Sequence, residues 1–289
     1  MKSAVLVDVG RIELEDRAIP VPGDSDVLIK VMACGVCGTD AHIFAGDKGA
    51  ADNPLPIVLG HEIAGVVECT GEKANRFKQG DRVCIDPNVL CGGCEYCLSG
   101  IGHFCESMTG IGTTVDGGFS EYCVAPEKQC YPLGENVSFT EGAMAEPLAC
   151  CLHGIDECAI KAGDSVVVIG GGLIGNMMLQ LALISGAARV ALIEPVASRR
   201  EAALKLGATV CIDPSENIKD HLADAGIGRA NAVIECVGNP NTIRLAIDIA
   251  GKRSTVMMFG LTKPKDTVSI YPYEFFKKEV TLKSSFINP

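Results

Sequence analysis

Short apolar stretches separated by polar turns dominate the first half of the chain. Turn signals such as PVPGDSD, FKQGDRV and TTVDGG recur through residues 1–145. Between them, VLIKVMACGVCG, IAGVVECTG and DRVCIDP have the β-branched content that is typical of strands. The opening MKSAVLVDVGRIELED predicts a first strand pair. This half of the sequence therefore predicts a mixed or mostly-β domain.

The pattern changes at Val166, where short apolar strands begin to alternate with helix-like stretches. The predicted strands are SVVVI, ARVALIE, TVCID, NAVIECVG and STVMMFG. This alternation is typical of α/β proteins, in which helices cover both faces of a doubly wound parallel sheet. The helical pattern EPLACCLHGIDECAI joins the two halves. We therefore predict two domains, residues 1–152 and residues 153–289.

One uncharged stretch, Val166 to Ala188, is about as long as a membrane-spanning helix. Its first part is β-branched, and three glycines come before its helix-like part. A strand, a tight turn and a buried helix therefore fit this stretch better than a membrane span.

The same stretch contains a glycine motif that is typical of dinucleotide binding. Gly170, Gly172 and Gly175 have the G-x-G-x-x-G spacing, between a predicted strand and a predicted helix. The glycines permit a tight turn, close approach of the backbone to a pyrophosphate and close packing of helix on strand. The helix N-terminus then offers N–H groups to the phosphates.

The end of the next strand bears on the choice of dinucleotide. Glu194 closes ARVALIE, and an acidic side chain there accepts hydrogen bonds from ribose hydroxyls and repels a 2′-phosphate. This favours NAD over NADP. Arg199 and Arg200 follow closely and argue the other way, because arginine suits a 2′-phosphate. A solvated Glu194 without a ligand is the alternative.

Composition narrows the function classes. The net charge is -11 and there is no lysine- or arginine-rich run, so nucleic acid is a poor candidate partner. The chain contains 15 cysteines without an apparent secretory signal, which favours a reducing, cytoplasmic location and metal binding over disulfides. Cysteines within apolar runs are interpreted as small core residues; these are Cys69, Cys84, Cys123, Cys150, Cys151 and Cys236.

Four cysteines lie within CGGCEYCLSGIGHFC. Their spacing, C-x2-C-x2-C-x7-C, lets four thiolates close a tetrahedron around Zn²⁺. An iron–sulfur ligand run would bring its last cysteine nearer and commonly place a proline after it. We predict a structural zinc site with no position for substrate, and its ligands are Cys91, Cys94, Cys97 and Cys105.

A second set of metal-ligating residue types is dispersed over ACGVCGTDAHIFAG, LGHEIAG and AEPLACC. The candidates are Cys37, His61, Glu62 and Glu146. Three protein ligands with an open position are typical of catalytic zinc. Spacing alone does not show that these segments converge, and a buried Cys37 with His61 in a surface turn is the alternative.

Together, the ordered motifs resemble the zinc-dependent medium-chain alcohol dehydrogenase family over essentially the whole chain. The branch that is most similar is the polyol, or sorbitol dehydrogenase-like, branch, with threonine dehydrogenase-like members nearby. The resemblance implies a GroES-like catalytic domain followed by a Rossmann domain. It also implies two Zn²⁺ ions per chain and NAD, with the catalytic zinc and the nicotinamide meeting in the cleft between the domains.

Specific roles follow from the resemblance at matching positions. Cys37 and His61 are implied as catalytic zinc ligands, and Glu62 or Glu146 as the third ligand or as the holder of the zinc-bound water. Asp40 matches the carboxylate that orients the zinc-bound histidine. Thr39 is implied to take the substrate proton and pass it through the cofactor ribose towards His42. Further cofactor contacts are implied at Ile174, Arg199, Phe259, Gly260, Leu261, Ser285, Phe286 and Ile287.

Two departures from the family pattern limit what the resemblance implies. Ile43 stands where similar sorbitol dehydrogenases tend to have a substrate-contacting tyrosine, which leaves the individual polyol open. The chain ends at SSFINP, whereas the family normally continues for several dozen residues that return to the first domain. We therefore expect an uncovered apolar face on that domain.

These observations predict an NAD-dependent zinc polyol dehydrogenase that acts on a small alcohol and not on membranes. The resemblance implies a homo-oligomer, either a dimer or a tetramer. An L-threonine 3-dehydrogenase-like or vicinal-diol (butanediol) dehydrogenase shares the same motifs. A non-catalytic remnant that binds NAD or zinc is an alternative of another class.

Overall fold

The computed structural model describes residues 1–47 and 54–289 and divides the chain into two units. Unit 1 is Met1–Pro147 together with Pro289, and unit 2 is Leu148–Asn288. The division falls within the helix Ala145–Cys158. The domain boundary that the sequence predicts, between residues 152 and 153, lies in this same helix.

Unit 1 is built mostly from strands, as its β-branched stretches and turn signals predict. Its strands are β1 (Lys2–Asp8), β2 (Arg11–Asp16), β3 (Asp26–Gly35), β4 (Ile57–Val58), β5 (Glu62–Thr70), β6 (Arg82–Ile85), β7 (Asn88–Val89), β8 (Thr109–Gly110), β9 (Tyr122–Pro126) and β10 (Cys130–Pro132). Among the described residues they form sheets of order β2-β1-β4, β10-β6-β5-β3-β9 and β7-β8. The helices that begin in this unit are α1 (Gly38–Phe44), α2 (Glu95–Leu98), α3 (Phe139–Ala143) and α4 (Ala145–Cys158).

The five-stranded sheet supplies the core of unit 1. Alternate residues of β3 and β5 face inward, among them Val27, Ile29, Ile63 and Val67, none more than 1% exposed. Cys123 is buried in this core, as predicted, and Cys130 is buried beside it. Cys69 is exposed, so its predicted core position is wrong: it lies near the end of β5, beyond the register shift between the Ile29–Val67 and Leu28–Cys69 pairs.

A cavity of about 550 Å³ also lies in unit 1. It is lined on one side by edge strand β9 and elsewhere by residues such as Arg17, Pro20 and Asp116. The uncovered apolar face expected from the sequence stays a prediction.

Unit 2 is the predicted parallel α/β sheet. Its strands are β11 (Ser165–Ile169), β12 (Arg189–Ile193), β13 (Val210–Ile212), β14 (Ala230–Glu235), β15 (Ala250–Met258) and β16 (Thr281–Ser284). They are all parallel and run in the order β13-β12-β11-β14-β15-β16. The remaining helices are α5 (Leu173–Ile184), α6 (Ala197–Lys205), α7 (Ile218–Asp224), α8 (Pro240–Ile249) and α9 (Pro272–Lys278).

The uncharged stretch Val166 to Ala188 folds as predicted into a strand, a glycine turn and a helix. All five residues of β11 are buried, and α5 buries Met178, Leu179 and Ala182 against the sheet. Among the described helices, none is both long enough and apolar enough to cross a membrane. The strand order reverses direction between β11 and β14, and this switch point is where open α/β sheets bind their ligands.

Candidate metal centres and dinucleotide site

Helix α1 places two of the candidate residues of unit 1. Cys37 is its N-cap, and the Cys37 Sγ accepts the Thr39 N–H at 3.5 Å. In return, Oδ2 of Asp40 accepts the Cys37 N–H at 2.9 Å, which completes a capping box. The capping box holds the Cys37 thiol and the Asp40 carboxylate in a defined orientation at the start of the helix.

Asp40 connects this helix to the second segment of the site. Its Oδ1 lies 3.5 Å from Nδ1 of His61, and both side chains are less than 10% exposed. Among the described residues, no other group forms a hydrogen bond with either of these two atoms. Because Nδ1 faces Asp40, Nε2 is the nitrogen of His61 that is available to a metal ion.

The third segment begins directly after His61, where Glu62 opens β5. One ligand atom from each of Cys37, His61 and Glu62 lies within 4.8 Å of the other two. The structure thus brings together the dispersed residues that the sequence could not place by spacing. Glu146, in the first turn of α4, is outside this group of three, but its charge acts on Glu62.

Glycine at position 35 makes room for the Glu62 carboxylate. Gly35 pairs with Glu62 across β3 and β5, and a Cβ on Gly35 would overlap Oε2 and lie 2.9 Å from Cδ of Glu62. Sequence reasoning did not identify this residue. A glycine at the end of a predicted strand was the available signal, because such glycines mark close approach.

The electrostatics of this cluster suit a cation. Burial alone would lower the pKa of His61, but its hydrogen bonds to Asp40 and Cys37 outweigh burial and raise the pKa to about 11. Burial, and then the charge of Glu146, raise the pKa of Glu62. Acidic groups buried together repel one another, and a bound cation removes that cost. The donor set of thiol, imidazole and carboxylate is one that Zn²⁺ accepts.

Thr39 and His42, the predicted proton-transfer residues, lie on the same helix. Thr39 is half-buried, and the His42 side chain is 27% exposed. Nδ1 of His42 lies 3.2 Å from Oδ2 of Asp47, a partner that sequence reasoning missed. Ile43 is buried beside Leu6, Ile57 and Leu59.

The four-cysteine loop forms a separate compact cluster. The thiol groups of Cys91, Cys94, Cys97 and Cys105 lie within 4.8 Å of one another, and all four are free of disulfides. The Sγ atoms of Cys94 and Cys97 are 3.5 Å apart, and those of Cys91 and Cys97 are 3.9 Å apart. A tetrahedron of Zn–S bonds of about 2.3 Å has edges of about 3.8 Å, so these separations fit zinc.

Backbone N–H groups prepare the loop for a metal. Those of Gly93 and Cys94 donate to Cys91 Sγ and lower the pKa of this thiol. The pKa of Cys94 is lowered to about 6, first by the N–H of Cys97 and then by that of Glu106. The thiolate is the form that binds metal, so these N–H groups favour the ligand form of Cys91 and Cys94. Cys97 differs, because burial raises its pKa to about 12.

In unit 2, the glycine motif forms the turn between β11 and α5. Gly170 has φ +101°, which a side chain would disfavour, and Gly172 is the N-cap of α5. A Cβ on Gly175 would overlap the Gly170 carbonyl, so only glycine permits this approach of helix to strand. Ile174 follows in the first turn of α5, at the helix end that favours anions.

Glu194 lies at the carboxyl end of β12 and is 3% exposed. Its Oε2 accepts the Gly171 N–H at 2.7 Å, and its Oε1 accepts the Val196 N–H at 2.9 Å. The acid thereby ties the glycine turn to the next strand. Each oxygen keeps a second lone pair that can accept from a ribose hydroxyl.

The two neighbouring arginines differ in availability. Arg200 donates to the carbonyls of Glu194 and Pro195 and to the Asp213 carboxylate, so its guanidinium is occupied. Arg199 is 56% exposed and lies 3.8 Å from Glu194 Oε2. Only Arg199 of this pair is free to approach a ligand phosphate.

The remaining predicted cofactor residues follow the ends of β15 and β16. The N–H groups of Phe259 and Gly260 donate to the Glu235 carbonyl at 2.9 Å, and Leu261 follows them. Ser285, Phe286 and Ile287 are half-buried after β16. The carboxyl ends of these two strands therefore lie at the same edge of the sheet as Glu194.

Replacing Gly35 by alanine tests the cradle around Glu62. The new methyl group should displace the Glu62 carboxylate, and zinc content should fall by about one ion per chain. Metal analysis by mass spectrometry, with circular dichroism to monitor folding, provides the measurement. Gly38→Ala is the matched control, because nothing lies within 4 Å of a Cβ there. Equal zinc content in both variants would contradict the proposal that Gly35 makes room for the Glu62 carboxylate.

Cys94→Ser tests the structural role of the four-cysteine loop. We expect loss of one zinc ion and a fall in the melting temperature of at least about 5 °C, because metal binding contributes directly to folding free energy. Cys69→Ser, at an exposed cysteine outside the cluster, should change the melting temperature by about 1 °C or less. Equal melting temperatures of the two variants would contradict a structural role for the four-cysteine loop.

Comparison with known proteins agrees with both halves of the structure. The model of the alcohol dehydrogenase GroES-like domain matches residues 23–135. The zinc-binding dehydrogenase model matches residues 174–289.

Individual relatives span nearly the whole chain. D-xylulose reductase A of Aspergillus oryzae is 33% identical over 98% of this chain and 81% of its own length. A zinc-binding dehydrogenase from Sinorhizobium meliloti 1021, solved with NADP, is 38% identical with a TM-score of 0.95, covering 100% of this chain and 84% of that one. The 2R,3R-butanediol dehydrogenase of Bacillus subtilis is 29% identical with a TM-score of 0.88, covering 98% and 83%.

The predicted GroES-like and Rossmann folds are confirmed, and the relatives support an oxidoreductase that uses zinc and a nicotinamide cofactor. With two family models in chain order and relatives above 30% identity, the chain belongs to the zinc-dependent medium-chain alcohol dehydrogenase family, with relatives like the polyol dehydrogenases.

Proposed function

We propose that this protein oxidises a secondary alcohol of a polyol with NAD as hydride acceptor and Zn²⁺ as catalytic metal. The observation that carries the proposal is the convergence of Cys37, His61 and Glu62, each with one ligand atom within 4.8 Å of the others. D-xylulose reductase A supports the substrate class, because reduction of a ketose is the reverse of oxidation of a polyol.

The proposed catalytic metal is held by Cys37, His61 and a glutamate. Glu62 is the better candidate for the third ligand, because it belongs to the compact group and Glu146 does not. Glu146 acts on Glu62 through its charge. When bound, Zn²⁺ supplies Lewis acidity that lowers the pKa of the alcohol, and NAD accepts the hydride.

In this proposal, residues of the chain orient the metal ligands and transfer the alcohol proton. Asp40 faces Nδ1 of His61 and keeps Nε2 directed towards the metal position. The Thr39 hydroxyl would take the alcohol proton while giving up its own in a relay towards His42, which would release a proton to solvent, to which its side chain is partly exposed. Asp47 orients the imidazole of His42 through its contact with Nδ1.

A vicinal diol is the second candidate substrate. The similarity to 2R,3R-butanediol dehydrogenase favours it. Ile43 offers no hydroxyl to a polyol and lies in an apolar cluster, which is compatible with a less polar substrate. NAD reduction measured against sorbitol, xylitol, arabitol, their phosphates, threonine and 2,3-butanediol separates the candidates by their kcat/KM values.

Removing one metal ligand tests the catalytic zinc. Cys37→Ser and His61→Ala should each reduce turnover by about 1,000-fold or more, because the alcohol loses its activating metal. The Kd for NAD should change by less than about threefold, since the glycine turn and Glu194 lie in unit 2. Initial rates and calorimetric titration provide these two quantities.

Cys69→Ser is the control for these variants, because it removes an exposed thiol outside both clusters. It should retain the turnover of the parent enzyme. Turnover retained by Cys37→Ser or His61→Ala would rule out the proposed metal chemistry.

Glu194→Gln tests the preference for NAD. The amide keeps an acceptor for one backbone N–H but removes the charge that repels a 2′-phosphate. The ratio of kcat/KM for NAD to that for NADP should fall at least about tenfold. Arg199→Ala should move the ratio in the opposite direction, since Arg199 is the available cation. An unchanged ratio in Glu194→Gln would contradict the role of Glu194 in selecting NAD. This test matters because the Sinorhizobium meliloti relative was solved with NADP.

A further inference from the structure

A second buried acid lies at the carboxyl end of the sheet, and the proposed mechanism does not use it. Glu235 is the last residue of β14 and is 0% exposed. In the described part of the chain, no lysine or arginine forms an ion pair with it. A buried carboxylate without a cation is costly unless hydrogen bonds compensate for its desolvation.

The compensation comes from the loop that follows β14. Oε1 of Glu235 accepts the Val237 N–H at 2.8 Å and the Gly238 N–H at 3.0 Å. It also accepts the Thr242 hydroxyl at 2.8 Å, from the first turn of α8. The positive end of this ten-residue helix adds to the stabilisation.

The same residue organises a second loop. Its carbonyl accepts the N–H groups of Phe259 and Gly260, both at 2.9 Å. A Cβ on Gly238 would overlap the Leu261 carbonyl, so the loops after β14 and β15 pack backbone against backbone. Glu235 therefore fixes the positions of both loops.

The strand order places these loops on one side of the switch point. Glu194, at the end of β12, lies on the β11–β12–β13 side and is the proposed partner of the adenosine ribose. The ligand crosses the switch point between β11 and β14, so its nicotinamide half belongs to the β14–β15 side. That half is the one part of the cofactor whose charge changes during the reaction, since the oxidised ring is cationic and the reduced ring is neutral.

We propose that Glu235 is a specificity-determining residue for the redox state of the cofactor: its buried, unpaired negative charge favours the oxidised dinucleotide, whose nicotinamide ring is cationic, while its hydrogen bonds position the two loops that receive the nicotinamide half. This inference rests on the proposed use of a nicotinamide cofactor. It extends that use by assigning Glu235 a contribution to binding that favours NAD⁺ over NADH.

The test measures the Kd values of NAD⁺ and NADH by calorimetry on the full chain without alcohol. Glu235→Gln removes the charge, and the quotient Kd(NAD⁺)/Kd(NADH) should rise about threefold to tenfold, the size expected when a screened Coulomb attraction is lost. A purely structural role would raise both Kd values by the same factor. The same quotient measured with NADP⁺ and NADPH makes the test independent of the choice of dinucleotide.

Thr242→Lys provides a second way to cancel the charge if Glu235→Gln does not fold. It keeps Glu235 and its backbone contacts, and it offers the carboxylate an ammonium group from a half-buried position. The quotient should rise as in Glu235→Gln. Thr242→Val is the matched control, because it removes the same hydroxyl without changing any charge and should leave the quotient unchanged.

Glu194→Gln is the positional control. It neutralises the corresponding acid at the end of β12, next to the adenosine half, which is identical in NAD⁺ and NADH. It should therefore weaken both ligands without changing the quotient.

The outcomes separate this inference from the proposed function. If the unmodified chain binds neither the oxidised nor the reduced dinucleotide, the proposed function fails and the inference fails with it. If both bind and the quotient is unchanged in the folded charge-cancelling variants, the inference alone is overturned. A rise of equal size in Thr242→Val or Glu194→Gln would also overturn it.

Discussion

Three of the buried carboxylates in this molecule are satisfied by backbone N–H groups, and each of them fixes a helix start or a loop near a proposed site. Asp40 caps the start of α1, Glu194 holds the glycine turn after β11, and Glu235 holds the loop after β14. In each case a loop or helix start would have no fixed position without the acid, and the acid would be too costly to bury without the N–H groups. Each acid and the loop or helix start that donates N–H groups to it therefore stabilise one another.

In unit 1 this constraint connects local structure to the proposed metal centre. The capping box of α1 uses one oxygen of Asp40, which leaves the other directed at His61. The same helix start presents the Cys37 thiol, and the strand pairing of Gly35 with Glu62 provides the space for the third group. The three candidate ligands are thus positioned by one helix cap and one strand register.

The four-cysteine loop is stabilised in a different way. Its helix α2 has only four residues and no buried side chain, so little apolar burial holds the loop in place. The thiol groups and the N–H groups that point at them supply the order that a core would otherwise provide. A closed set of four thiols leaves no position for a substrate, so the most conspicuous motif of the sequence is separate from the proposed chemistry.

The sequence by itself determined the two kinds of fold, the glycine turn and the clustered cysteines, because these depend on local periodicity and on spacing within a few residues. It also predicted the strand that ends at Glu194, and the position of this acid at the strand end indicated its role near a ribose. Only the tertiary structure brought Cys37, His61 and Glu62 together, left Glu146 outside that group and showed that Arg200 is occupied while Arg199 is available. Gly35, Asp47 and Glu235 were missed for the same physical reason. Their roles depend on which backbone or side chain lies opposite them, and that is decided by strand register and packing rather than by the pattern of neighbouring residues.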